Sequence, residues 1–526
     1  MTIDSLTSDL ILLSIGLESI KIITQRMLDG SESLVTFILF AAVTTILVWG
    51  FNRAKSYGRL GILAWLQSLV LMSPWLVFFG LFAVGVYINL VGILFLLVGS
   101  IIIYIYLGKR LRAAGQESLI QQKAAERINR QAELAKVENI KEDKAEFPEK
   151  VEVSPIPDED LVALKGIFGI DTFFATETIP YQDGAIFKGN LRGEPDLAYT
   201  KMSEKLNLAF EDKYRLFLVE SPESKPVVVI LPKTNDPQTT TLAQKNLAIV
   251  LFISTVLTSL EASSVLQGFD LFDNLDRYGE AIPLALGLWT IIIAHEIAHA
   301  VWANRYNIRL SIPFFLPNWQ IGSFGAITRF ESLLPNRTVL FDIAFAGPAA
   351  GGILSLILLV LGLVLSHPGS TFQLPTEFFR ASVLVGTLAK VVLGSALENA
   401  VVDINPLVII GWLGLVINAL NLMPAGKLDG GRIVHAIYGR KTARRSTLAT
   451  LIILAIISLF NPANPIPLYW AVLILFLQRD LERPVQNELT EPDDARAAWG
   501  LLALFLMLAT LVPLSTSLAG RIGLGS

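Results

Sequence analysis

The sequence predicts an α-helical, polytopic membrane protein that carries a small α+β domain on its cytoplasmic side. Three observations lead to this fold class. Of 526 residues, 53% are hydrophobic and only 17% are charged, whereas soluble globular chains hold about 45–50% apolar and about 25% charged residues. The apolar residues gather into two blocks of bilayer-length runs. Between the blocks the composition inverts and a helix- and strand-forming segment follows. The same arithmetic excludes other classes: 42 Lys and Arg against 46 Asp and Glu give a net charge of −4, without the basic surface that a nucleic-acid binder needs. There is no Cys, so disulfides, thiolate metal ligands and Cys nucleophiles are excluded.

Taken in order, the first block covers residues 1–108. The opening MTIDSLTSDL has acidic residues and no basic flank, unlike a secretory or plastid leader; this favours a cyanobacterial chain over a plant precursor. Residues 8–24 are interrupted by Glu18 and Lys21 and suit an interfacial helix. Leu34–Phe51 runs 18 residues without a charge and Leu60–Leu107 runs 48, enough for one and two crossings at roughly 20 residues each. Residues 109–154 form a charged helical linker: Lys109–Glu152 holds ten basic and nine acidic side chains and no apolar run.

Residues 155–236 read as a small α+β soluble domain, large enough for a modest core and a regulatory role. Helical spacing covers Asp158–Phe168 and Asp196–Phe210, and β-rich runs cover Arg215–Val219 and Pro226–Leu231. Between them, Gly189-Asn190-Leu191-Arg192-Gly193 is expected in a turn, its glycines serving positive φ.

The second block, residues 245–480, offers spans at about 246–265, 283–303, 339–366, 405–423, 446–461 and 465–479. The segment 481–526 adds a last one at about 498–518. The stretch 375–400 carries Glu377, Arg380, Lys390 and Glu398 and suits the interface better than the bilayer interior. Basic residues cluster in the loops at 53–59, 109–150, 305–309 and 427–445, whereas loop 266–281 is acidic. Because Lys and Arg accumulate on the cytoplasmic side, those basic loops and the soluble domain are assigned there.

The chemistry is concentrated in Ile291–Ala300, which reads IIIAHEIAHA. His295 and His299 stand at i and i+4, on one helix face, and can share a Zn²⁺, while Glu296 follows the first His as a candidate general base. Only two further His exist, His367 and His435, so a chance match of this pattern is rare. An intramembrane Glu and two imidazoles are costly unless they do something. His299 lies six residues before Arg305, or about 9 Å inside the helix end. Two His leave zinc short of a third protein ligand. Asp429, in NALNLMPAGKLDGGRI (418–433), is the leading candidate, with His435 a weaker one; His367 falls in an opposite-face loop. Gly430 and Gly431 let backbone approach closely, and Gly347-Pro-Ala-Ala-Gly351 has the small-xxx-small spacing of a helix-packing face.

HEIAH within a span, followed by N-x-x-P and LDGG at the end of a later one, resembles the site-2 protease family of intramembrane zinc metalloproteases over roughly residues 245–480. GSFGAITRF (322–330) and FAGPAAGG (345–352) are further matches. The GNLRG at 189–193 and the absence of a PDZ domain resemble the chloroplast and cyanobacterial branch. The resemblance implies an intramembrane zinc protease that cleaves transmembrane segments of single-span or other membrane proteins. It implies that His295, His299 and Asp429 hold zinc and that Glu296 is the base. It also implies that Asn421 and Pro424 of the N-x-x-P motif, with Gly322, Phe324 and Gly325 of a hairpin, meet the substrate. Arg432 stands where many members have His, and PAGKLDGG lacks a second proline; both departures bear on substrate fit. Two other functional classes meet part of the pattern: a metal transporter, which would space ionisable groups along facing spans, and a non-catalytic scaffold working through residues 155–236. The expected home is a cyanobacterial plasma or thylakoid membrane. Oligomeric state is not legible.

Overall fold

The computed structural model describes residues 156–515 apart from 182, 222, 462–463 and 479, together with 519–520 and separate positions between 48 and 110. The chain divides into two units, Met1–Glu149 and Lys150–Ser526. In the first, every described position between 48 and 110 is helical. The expected interfacial helix at 8–24 and, apart from Arg110, the charged linker at 109–154 lie outside the described residues, as do most positions of the spans at 34–51 and 60–107.

The second unit begins with a four-stranded antiparallel sheet of order β1-β2-β4-β3, formed by β1 (Phe173–Tyr181), β2 (Gly184–Leu191), β3 (Tyr214–Glu220) and β4 (Pro226–Pro232). Helices α1 (Asp158–Lys165) and α2 (Pro195–Phe210) supply Leu164, Met202 and Leu206 to a core with Phe173, Phe187, Leu216 and Val228. Two strands were not expected, and the turn assigned to 189–193 is corrected: Gly189, Asn190 and Leu191 belong to β2. The glycine serves proximity rather than positive φ, because a Cβ there would sit 2.1 Å from the Phe174 carbonyl oxygen of the neighbouring strand. Charged residues on the outer face of these strands, such as Glu177 and Lys188, hid their periodicity.

Five helices among the described residues are long and apolar enough to cross a membrane. They are α3 (Leu242–Leu266), α4 (Tyr278–Arg305), α5 (Arg337–Leu365), α8 (Asp429–Phe460) and α10 (Asp494–Leu511); α6 (Val383–Leu393), α7 (Pro406–Asn421) and α9 (Ile466–Leu473) are shorter. Local chemistry starts them where expected: Thr241 and Gln244 form a reciprocal capping box for α3, and Asn336 and Asp493 cap α5 and α10. Two expected spans are therefore short: 405–423 is a 16-residue helix and 465–479 is α9 followed by a wider π turn, Ile474–Gln478. The basic loop expected at 427–445 is also corrected, because α8 begins at Asp429 and runs through it, bending at Gly439 (φ 77°, ψ 172°). Its charges are held: Arg432 pairs with Glu482, and Arg440 donates to the Glu482 carbonyl. The expected interfacial stretch 375–400 consists of α6 between two 3₁₀ turns.

Two features place the site. A hairpin of β5 (Phe314–Asn318) and β6 (Gly322–Ile327) packs between α3, α4 and α7, with Phe324 fully buried against Tyr469 and Trp470. Helices α5 and α7 lie in close contact, Gly411 and Gly414 of one meeting Leu359 and Ser355 of the other. Residues 485–490 form a strap: Leu218 of β3 exchanges backbone hydrogen bonds with Gln486 and Glu488, while Gln486 and Asn487 donate to Leu334 and Pro335 at the entry to α5.

Candidate metal centre and active site

Helix α4 presents His295 and His299 on its buried face, and α8 delivers Asp429 at its first residue. The two His Nε2 atoms are 3.0 Å apart, and Asp429 Oδ2 lies 3.2 Å from one and 3.4 Å from the other. These three are the described His, Cys, Asp or Glu residues that converge as a possible metal site.

The hydrogen bonds on the far side of each ring decide what that cluster is. His299 Nδ1 is 2.7 Å from the Ile343 carbonyl oxygen, an atom that only accepts, so the proton is on Nδ1. His295 Nδ1 is 2.8 Å from Asn418 Oδ1, whose own amide nitrogen donates to the Gly414 carbonyl. With Nδ1 of each ring turned to an acceptor, each Nε2 can present a lone pair, and two imidazole nitrogens and a carboxylate oxygen converge on one point, a donor set that suits a cation. Ligands at about 2.0–2.1 Å around tetrahedral zinc stand about 3.3 Å from each other, and the observed 3.0–3.4 Å spacings fit. Gly347 of α5 leaves the room: a Cβ there would lie 2.2 Å from His299 Nε2 and 2.7 Å from His295 Cδ2.

Glu296 projects beside the cluster, with Oε1 4.0 Å from His295 Nε2, its side chain 12% exposed. Thr328, just past β6, donates its hydroxyl to Glu296 Oε2 at 2.8 Å. Arg432, one turn into α8, is 6% exposed. It holds Glu482 through Nε and Nη2 (3.0 and 2.9 Å) and donates Nη2 to the Thr328 carbonyl at 2.7 Å. A narrow cavity opens here, lined by Glu296, His299, Thr328, Asn421, Asp429 and Arg432 among others.

Of the residues expected to meet substrate, Asn421 lines this cavity, but Gly322, Phe324, Gly325 and Pro424 do not. Asn421 donates both amide protons, to the Phe324 and Ile417 carbonyls at 3.1 and 3.0 Å, and so ties the hairpin to α7. The hairpin residues on the cavity are Ala326, Ile327 and Thr328. Pro424 follows the end of α7. His435 stands apart, its Nε2 3.1 Å from Glu488 Oε1, and His367 is an exposed loop residue. Sequence reasoning missed Asn418, Thr328 and Glu482. Thr328 lay unremarked inside the GSFGAITRF stretch, and Asn418 left a trace of its own: it precedes Asn421 by three residues on an apolar helix, hence on the same face.

Comparison with known proteins agrees with this geometry. Residues 283–460 match the model of Peptidase family M50, and residues 162–238 match the EGY3 middle domain. The probable zinc metalloprotease EGY2, chloroplastic, of Arabidopsis thaliana is 42% identical over 377 residues, covering 70% of this chain and 67% of that protein. The probable zinc metalloprotease EGY1, chloroplastic, of the same plant is 36% identical over 415 residues, covering 72% and 74%. Its probable zinc metallopeptidase EGY3, chloroplastic, is 33% identical over 378 residues, covering 67% and 65%. No solved structure matches.

Proposed function

This chain belongs to the EGY zinc metalloproteases of Peptidase family M50, multi-pass membrane enzymes, and from that premise we propose that His295, His299 and Asp429 hold the zinc while Glu296 is the general base. The observation that carries the reading is the convergence of two imidazole lone pairs and a carboxylate, with a second carboxylate alongside. Zinc bound there supplies Lewis acidity, polarising a carbonyl and making water a nucleophile near neutral pH. Asn418 and the Ile343 carbonyl keep the ring nitrogens of His295 and His299 turned to the metal. Glu296 takes a proton from the attacking water and returns it to the departing amide nitrogen. The Thr328 hydroxyl fixes the orientation of Glu296, leaving Oε1 for that proton.

The substrate class follows from the surroundings. A transmembrane helix hides its carbonyls in its own hydrogen bonds and must unwind before it is cut, which orphans backbone groups in lipid. Among the described residues, strand β6 is an edge of a two-stranded sheet and pairs only with β5. An extended stretch of substrate laid along it, near Ala326–Thr328, regains backbone partners. We therefore propose single-span membrane proteins as substrates, admitted from the side on which Arg305 and Arg309 lie. That side is cytoplasmic, or stromal, by its basic residues. The membrane is one of a photosynthetic cell, thylakoid or plasma, as the chloroplastic relatives suggest. The proposed organisation is an N-terminal membrane block (1–108), a linker (109–154), a regulatory domain (155–236), the protease core (245–480) and a C-terminal segment (481–526). The strap at 485–490 supports a regulatory domain, because it joins β3 to the entry of α5.

The test uses purified protein in liposomes with a single-span substrate. Wild type is expected to cleave it, and Glu296→Gln or a zinc chelator to abolish cleavage. Cleavage that survives Glu296→Gln would sink the assigned mechanism. Zinc crossing the vesicle wall without cleavage would favour a transporter.

A further inference from the structure

Hydrolysis of an amide passes through a tetrahedral species whose oxygen carries negative charge, and fixed donors aimed at that oxygen account for much of the rate in such sites. The motif residue expected to help there, Asn421, has both amide protons committed to backbone carbonyls. Thr328 has its hydroxyl proton on Glu296. We propose that Arg432 is a catalytic residue, whose Nη1 donates to the scissile carbonyl oxygen as it becomes an oxyanion. The inference rests on the zinc and base assignments above.

Four observations carry it. Arg432 lines the cavity that Glu296, His299 and Asp429 also line. Its Nη1 lies 3.7 Å from Asp429 Oδ1, on the far oxygen of the carboxylate that faces the two His. Among the described residues Nη1 makes no hydrogen bond, whereas Nε and Nη2 are anchored on Glu482 and the Thr328 carbonyl, and Phe330 stacks beneath at 4.7 Å. The guanidinium is thus buried, fixed on two of its nitrogens and open on the third. Such a donor needs no reorganisation when charge develops. The other cation on the cavity, Lys427, is tied there, among the described residues, by its backbone N–H to the Gln478 carbonyl. Gln478 lines the same cavity and has a buried Oε1 with no partner among the described residues, an acceptor for the N–H of the same extended peptide. Arginine's planar fork explains why lysine would not substitute.

The experiment compares wild type, Arg432→Gln, Arg432→Lys and Glu482→Gln in liposomes with the single-span substrate, each checked for one zinc per chain. Arg432→Gln is expected to lower kcat about 10²- to 10³-fold with KM within about threefold. It is also expected to weaken binding of a phosphinic peptide, a tetrahedral mimic, by about 100-fold while uncleaved substrate binds as before. Glu482→Gln, which loosens one anchor, is expected to lose about tenfold or less. If Arg432→Gln sheds its zinc, Arg432→Lys carries the test, with the same split and a smaller loss. A kcat loss below about fivefold, a loss lying wholly in KM, or unchanged phosphinate affinity overturns the proposal. Retained cleavage by Glu296→Gln would instead overturn the base assignment, whatever Arg432 does.

Discussion

Gly347→Ala adds one methyl group and touches no ligand covalently, yet it is expected to cripple zinc binding. The new carbon would lie 2.2 Å from His299 Nε2 and 2.6 Å from its Cδ2. Ordinary contact begins near about 3.5 Å, so the shortfall exceeds about 1 Å. Helix α5 cannot retreat cheaply, because Gly362 abuts the Leu407–Val408 backbone and Gly351 abuts Asn418. The imidazole must turn instead, and its Nδ1 bond to the Ile343 carbonyl turns with it. Loss of outer-shell support alone costs 10- to 100-fold in metal affinity, so a displaced ligand should cost about 100-fold or more, equal to about 2.7 kcal/mol. The overpacking itself should destabilise the fold by about 1–3 kcal/mol. Zinc affinity from competition with a chromophoric chelator reads the first effect and a thermal melt the second. Gly352→Ala is the control, one residue beyond Gly351 on the same helix and with open space around its Cβ position. If Gly347→Ala binds zinc within threefold of wild type, the metal is not where the two His meet.

Three further outcomes are expected. Asn418→Ala removes the acceptor for His295 Nδ1 and should lower zinc affinity about 10- to 100-fold, read by the same competition; an unchanged affinity would refute the tautomer argument. Thr328→Val keeps the shape but removes the donor to Glu296. It should lower kcat about tenfold with zinc content intact, and a zinc loss would contradict a role confined to the base. Glu488 lies outside the spans in contact with His435 and Arg440. Burial raises its pKa, but the His435 hydrogen bond and those two charges outweigh burial and hold the carboxyl below its ordinary range. A depressed carboxyl stabilises the fold at neutral pH, and that stability is lost as pH falls below about 4. Glu488→Gln should cost about 3 kcal/mol at pH 7 and flatten the acid limb of a melting-temperature profile; an unaltered limb would refute the assignment.

The legible and illegible parts of this molecule divide along the reach of each interaction. HEIAH was readable because two candidate ligands and the adjacent Glu296 share one turn of one helix. Asp429 was readable as the acidic residue of a Gly-rich turn after a span, although the structure makes it the first residue of a helix. What places them relative to each other was not. The Ile343 carbonyl, the space at Gly347 and the Thr328 hydroxyl reach the site from elements 30 to 50 residues away, with no local periodicity to mark them. Strand β2 escaped because Gly189 reads as a turn residue until its neighbour, Phe174, is known. The basic run after Asp429 read as a loop for a related reason: its charges signal solvent. Glu482 and Glu488, the partners that bury Arg432 and His435, lie 50 and 53 residues further on.

The depth of the cut tests the central claim most directly. His299 is six residues from the end of α4 at Arg305, about 9 Å along the helix. A substrate span met at that depth should be cut about six residues inside its basic-flanked end if helical, or about three if unwound to roughly 3.3 Å per residue. Mass spectrometry of the fragments released in liposomes locates the bond. A single cut within that window, absent with Glu296→Gln, is the expected result. A cut in the water-exposed flank, or the same cut made by Glu296→Gln, would contradict proteolysis inside the membrane at this zinc site.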